Sequence, residues 1–81
     1  MKKEIIWQEL KTLVAELFDI PQDEVAIDLS MGDVEKWDSL GHLNLILSIE
    51  EKFNVKVPLE EIGNLKNLKL ILNYIIEQNT P

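Results

Sequence analysis

The 81 residues are enough for one small domain over 1–81 and no more, and a hydrophobic share of 46% supplies a packed core, which excludes wholesale disorder. The absence of cysteine excludes a disulfide scaffold and thiolate metal sites. A formal net charge of -7 with no arginine argues against nucleic acid as a partner, because phosphate binding needs a basic footprint. The acidity suits either a domain that docks on basic patches of other proteins or a surface that is merely well solvated. No apolar run is long enough to span a bilayer, and Met1-Lys2-Lys3-Glu4 opens no signal-peptide core, so a soluble cytoplasmic protein is expected.

The spacing predicts four helices. In the first, from about Lys3 to Phe18, Ile6, Leu10, Leu13, Val14, Leu17 and Phe18 recur at helical intervals, while Glu9, Lys11 and Glu16 fall elsewhere. It ends before Pro21, because the residue preceding a proline disfavours the helical region. Trp7 fits either the edge of the apolar face or the solvent.

Residues 19–37 form a long connection punctuated by Pro21, Asp23, Asp28, Ser30, Gly32 and Asp33. The alternation of Val25, Ile27 and Leu29 is expected to pin it to the core, and Pro21-Gln22-Asp23-Glu24 suits a short helical turn. So long a loop in so small a domain is usually functional.

The second helix is expected from about Ser39 to Phe53, with Asp38 as N-cap and Asn54 as its stop. It carries more apolar surface than one core stripe uses. Leu45, Ile46, Ile49 and Phe53 lie on one side; Leu40, Leu43 and Leu47 lie on another, beside Asn44, Glu50 and Glu51. Two readings follow: a helix buried on most sides, or a core face plus an exposed docking face with an acidic rim. Val55-Lys56-Val57 reads as extended, and Pro58 is placed to open a short third helix, Leu59 to Ile62, closed by Gly63. The last helix runs from about Asn67 to Gln78, with Leu68, Ile71, Leu72 and Ile75 on its main apolar face and Leu70, Tyr74 and Ile76 widening it. The result is an all-α, small four-helix bundle with a long first loop and a short third helix.

A serine at a helix start is exposed and faces free backbone N–H groups and the positive end of the helix dipole, which favours a phosphate there. Ser39 holds that position in Asp38-Ser39-Leu40. The stretch from Trp37 to Pro58, with Glu50-Glu51 and the Phe53…Val57-Pro58 exit, resembles the acyl carrier proteins, and the order of elements follows that family along nearly the whole chain. The resemblance implies a carrier rather than an enzyme, in which Ser39 accepts 4'-phosphopantetheine from coenzyme A through a separate, magnesium-using phosphopantetheinyl transferase. The arm then holds an acyl group as a thioester. By the same resemblance Asp38 and Leu40 flank the attachment point, and Leu43, Asn44, Leu47, Glu50 and Glu51 meet basic patches on acyl-transferring or acyl-activating enzymes. Leu45, Ile46, Ile49, Val57, Ile62 and Leu65 are expected near the acyl chain, and the carrier is expected to be a monomer.

This chain departs from the family members of general fatty-acid synthesis. Gly41 and Asn44 stand where an acid is common, and Lys36-Trp37 replaces small residues before the motif. The departures point to a dedicated lipid, polyketide-like or surface-glycan pathway rather than bulk fatty acid biosynthesis. A peptidyl or aminoacyl carrier is an alternative, since it shares the fold. An unmodified acidic helical interaction module is another.

Other chemistries are poorer fits. Ser39 as a nucleophile with His42 as base lacks the first glycine of a G-x-S-x-G turn, where Trp37 stands, and His42, one turn along the helix, is poorly placed to be oriented by a third group. His42 is expected to be partly buried or partner-facing, and Trp37 fits either a docking residue or a lid on the loop. The segment from Asp28 to Asp33 misses the ligand spacing of a calcium loop, so no metal site is expected beyond a loose surface cation.

Overall fold

A computed structural model describes residues 2–79. The first helix, α1, spans Lys3–Phe18. It stops where Asp19 turns left-handed (φ 56, ψ 52) and the N–H groups of Asp19 and Ile20 both fold back on the Ala15 carbonyl, just ahead of Pro21. Ile6, Leu10, Val14 and Phe18 are buried, Leu13 and Leu17 pack against them half-buried, and Trp7 sits at the edge.

The connection holds one 3-10 turn, Gln22–Glu24, as the sequence suggested. Its expected alternation holds only in part. Val25 is buried and Leu29 half-buried, but Ile27 is 40% exposed. A turn closed by the Leu29 N–H on the Ala26 carbonyl (3.0 Å) breaks the extended run and leaves Ile27 at its corner. The connection is then stapled to the segment before the last helix. Ser30 bridges Asn67, the Met31 N–H donates to the Lys66 carbonyl at 2.9 Å, and the Leu68 N–H donates to the Leu29 carbonyl at 3.0 Å. The long connection is thus held by backbone hydrogen bonds, which offset the entropy of ordering it.

Helix α2 is Ser39–Phe53. Asp38 caps it through a 2.8 Å bond from the Gly41 N–H to its Oδ1, and Asn54 ends it in the left-handed region at φ 55. The exit is tied down by the Glu50 carboxylate, which accepts the Val57 N–H at 2.8 Å. Pro58 then opens α3, Leu59–Ile62, a single turn with no buried residue. Helix α4 is Leu68–Gln78, and Asn67, expected as its first residue, instead caps it by accepting the Leu70 N–H at 2.9 Å. Leu68, Ile71, Leu72 and Ile75 face inward. Leu70 does not widen that face: it is 43% exposed.

Helix α1 packs against both α2 and α4, and the inner residues of all three form one core. Each fully buried Leu or Ile there contributes about 1.5–3 kcal/mol. No buried side-chain nitrogen or oxygen among the described residues lacks a partner. No helix among them is long and apolar enough to cross a membrane.

Candidate functional site

Ser39 is the first residue of α2 and is exposed. Two features of the chain set it there. Asp38 is extended (φ -99, ψ -164) and accepts twice from the new helix: Oδ1 takes the Gly41 N–H, and its carbonyl takes the His42 N–H at 2.8 Å. One N–H of the helix start is therefore already answered by the cap. The Ser39 and Leu40 N–H groups precede the first intrahelical bond and belong to the positive end of the dipole.

The second feature is the approach of the connection to this first turn. A Cβ at Gly41 would lie 1.9 Å from the Lys36 carbonyl oxygen and 3.3 Å from a Phe18 ring carbon. Only glycine lets the backbone of Lys36 press so closely on α2. The missing acid at Gly41 thus has a packing cause. Beside Ser39, an open cleft of about 370 Å³ runs between the end of α1 and the start of α2, lined by Leu17, Phe18, Lys36, Asp38, Leu40 and Asn44. The Lys36 ammonium at its edge contacts Asp19 at 3.8 Å, with both side chains largely in solvent, where such a pair adds little.

Trp37 differs from expectation, and His42 takes the buried one of its two expected places. Trp37 is neither a docking residue nor a surface lid: it is fully buried, stacked on Phe18 at 5.3 Å between centroids. His42 is not partner-facing. It is 5% exposed, accepts the Trp37 indole N–H at Nδ1 (3.0 Å), and lies 2.8 Å from the Ile62 carbonyl at Nε2. Both ring nitrogens are occupied, so no free base faces Ser39. The burial was legible in the sequence, because His42 continues the 45, 46, 49, 53 stripe by helical spacing; its partners were not.

The outer face of α2 is an exposed apolar stripe. Leu40 is 68% exposed, Leu43 46% and Leu47 62%, with Asn44 and Glu51 beside them in solvent. The expected docking residue Glu50 is different: it is half-buried and committed to the Val57 N–H, so it serves the fold at the α2 exit before it serves any rim. Leu59 of α3 is 83% exposed, an apolar residue that the pattern did not single out. On the inner side, Leu45, Ile46, Ile49, Val57 and Leu65 are buried, with Ile62 half-buried against them. Among the described residues no cluster of acids or histidines is arranged to hold a metal ion.

Residues 8–75 match the family model for the phosphopantetheine attachment site. The chain belongs to the acyl carrier protein family. It is 31% identical over 75 residues to the acyl carrier protein of Thermosynechococcus vestitus, covering 93% of each chain. It is 33% identical over 75 residues to that of Acidothermus cellulolyticus, covering 93% of this chain and 89% of the other. The fold matches the solved acyl carrier protein of Enterococcus faecalis with a TM-score of 0.78, covering 98% of this chain and 100% of that one, at 23% identity. The protein is therefore a carrier, not an enzyme, and its prosthetic group is covalent 4'-phosphopantetheine. Its surroundings fit that group: an exposed serine at a helix start, where first-turn N–H groups lack intrahelical acceptors, suits a phosphodiester. As a member of the family it works with a phosphopantetheinyl transferase and with acyl-handling enzymes.

Proposed function

We propose that Ser39 is the attachment point and that the carrier presents acyl intermediates to partner enzymes from the outer face of α2. The observation that carries this reading is the placement of an exposed Ser39 at the head of an exposed stripe, Leu40, Leu43 and Leu47, on a helix whose opposite side is core. When attached, the arm supplies a thiol that holds the cargo as a thioester. The chain's own residues do the rest. Asp38 starts the helix, so the Ser39 oxygen stands clear of the backbone; the first-turn N–H groups offset phosphate charge; and the apolar stripe gives a partner a small dry contact. Lysines and arginines of partners meeting Asp38 and Glu51 speed encounter more than they tighten it, as a shuttle requires. Tethering then makes delivery an intramolecular event at whichever enzyme has docked.

The cargo is proposed to be acyl, sheltered on the inner side of α2 by Leu45, Ile46, Ile49, Val57, Ile62 and Leu65. These residues pack against one another, so a chain enters only if α3 lifts from α2. Each methylene buried there contributes about 0.8 kcal/mol, enough to hold a short chain and still release it. A dedicated lipid, polyketide-like or surface-glycan pathway remains our reading of the sequence around the serine. Asn44 supports it, being an exposed neutral residue within the docking stripe. Gly41 supports it less, since packing accounts for it.

The test is intact mass after incubation with coenzyme A, magnesium and a broad-specificity phosphopantetheinyl transferase. One phosphopantetheine on the wild type and none on Ser39→Ala is the expected result. An equal gain on the variant, or none on folded wild type with two different transferases, removes Ser39 from the role.

A further inference from the structure

His42 is the chain's single histidine, and carrying a cargo gives it no task. Yet it is buried, with a partner at each ring nitrogen. The ring stacks beside Trp37 at 6.1 Å and 21°, and Trp37 in turn stacks on Phe18. An indole N–H only donates, so Nδ1 of His42 must be the acceptor in the 3.0 Å contact. The hydrogen of the neutral ring then sits on Nε2 and donates to the Ile62 carbonyl at 2.8 Å.

The two partners belong to different parts of the machine. Trp37 closes the long connection and is held by its backbone as well: its N–H donates to the Val34 carbonyl at 3.1 Å, and its carbonyl accepts the Gly32 N–H at 2.8 Å. Only Asp38 separates it from Ser39. A fixed Trp37 therefore fixes the residue that caps α2 and aims the serine. Ile62 is the last residue of α3, a four-residue helix with no buried residue of its own. So small an element has little apolar contact to hold it, and the bond from His42 joins it directly to α2.

We propose that His42 is a positioning residue with two separable duties. Its Nδ1 side holds Trp37 and thereby presents Ser39 to the transferase; this duty rests on Ser39 being the attachment point. Its Nε2 side latches α3 to α2 and sets how readily α3 lifts; this duty does not depend on Ser39.

Two substitutions separate the duties. In His42→Asn the amide oxygen takes the place of Nδ1 and can still accept from Trp37, while the donor to Ile62 is lost. In His42→Gln the amide N–H takes the place of Nε2 and can still reach Ile62, while the acceptor for Trp37 is lost. Each variant is read by kcat and KM for phosphopantetheine transfer and by hydrogen exchange at the Asn64 and Leu65 amides, which bond back into α3. His42→Asn is expected to keep kcat within about twofold and to exchange about tenfold faster at Asn64 and Leu65, as the loss of one part-buried hydrogen bond predicts. His42→Gln is expected to keep the wild-type exchange and lose about tenfold in kcat with little change in KM, since a misaimed nucleophile binds its enzyme normally and reacts slowly.

Equal losses of both readouts in both variants would reduce His42 to a purely structural residue and overturn the proposal. So would wild-type values in both. Should either variant unfold, Trp37→Phe keeps an aromatic ring against Phe18 and removes the donor together with part of the buried indole. It is expected to lower kcat and leave α3 exchange alone; an unchanged kcat overturns the first duty. Absence of any mass gain on wild type overturns the first duty through Ser39 itself, and the exchange experiment on α3 still decides the second.

Discussion

Gly41→Ala gives the sharpest test of how the attachment turn is built. The added methyl would sit 1.9 Å from the Lys36 carbonyl oxygen and 3.0 Å from its carbon, so the backbone of the connection must retreat by about 1.1 Å even to reach 3.0 Å. Backbone is the part least able to move: Trp37, the next residue, is fully buried, stacked on Phe18 and hydrogen-bonded to His42 and Gly32. Overpacking of this kind costs about 1–3 kcal/mol. Strain on the buried Trp37–His42 bond adds about 1 kcal/mol more. Against these stands the helix preference for Ala over Gly, about 1 kcal/mol. The net expectation is a loss of about 2 kcal/mol, which in a domain of this size lowers Tm by about 10 °C. Urea unfolding followed by circular dichroism measures it. Gly63→Ala is the internal control, since nothing lies within 4 Å of its Cβ position and its φ of -69 is ordinary; it should be neutral or slightly stabilising. A Gly41→Ala midpoint at or above wild type would refute the close approach as the reason for glycine.

Three further outcomes follow from other contacts. Glu50→Gln exchanges a charged acceptor of the Val57 N–H for a neutral one and should cost about 1 kcal/mol with faster amide exchange at Val57; unchanged exchange would show that the carboxylate does not hold the α2 exit. Leu43→Asp places a charge in the exposed stripe and should cut the rate of loading by a partner enzyme about tenfold while the circular dichroism spectrum and Tm stay near wild type; undiminished loading would move the docking face elsewhere. Tyr74, the chain's single tyrosine, donates to the Lys56 carbonyl at 2.6 Å, and desolvation, followed by the charges of Glu61 and Glu50, holds its hydroxyl above the ordinary value of 10.0. The folded state thus keeps this proton longer than the unfolded chain. Its contribution to stability is fully present below pH 10.0 and is lost as pH rises through the higher folded value. Tyrosinate absorbance should accordingly lag that of the urea-unfolded protein; coincident titrations would contradict the assignment.

Much of this protein is local and so is written in its sequence. The bounds of α1, α2 and α3, the Asp38 cap, the Asn54 stop and the Gln22–Glu24 turn all depend on residues within a turn or two of each other, where spacing and backbone preference suffice. That α2 carries two apolar sides was legible for the same reason, but whether the second is buried was not; the structure exposes Leu40, Leu43 and Leu47 and buries Leu45, Ile46 and Ile49. What the sequence left open is which side chain meets which across the fold. Nothing in the order of residues pairs Trp37 with His42, His42 with Ile62, Glu50 with Val57, or Gly41 with the carbonyl of Lys36. Those contacts form because a polar group taken out of water must find a partner, and the partner is chosen by the geometry of packed helices, not by distance along the chain. Helical period alone placed Ser39 at the head of α2; only the tertiary structure decided what holds it there.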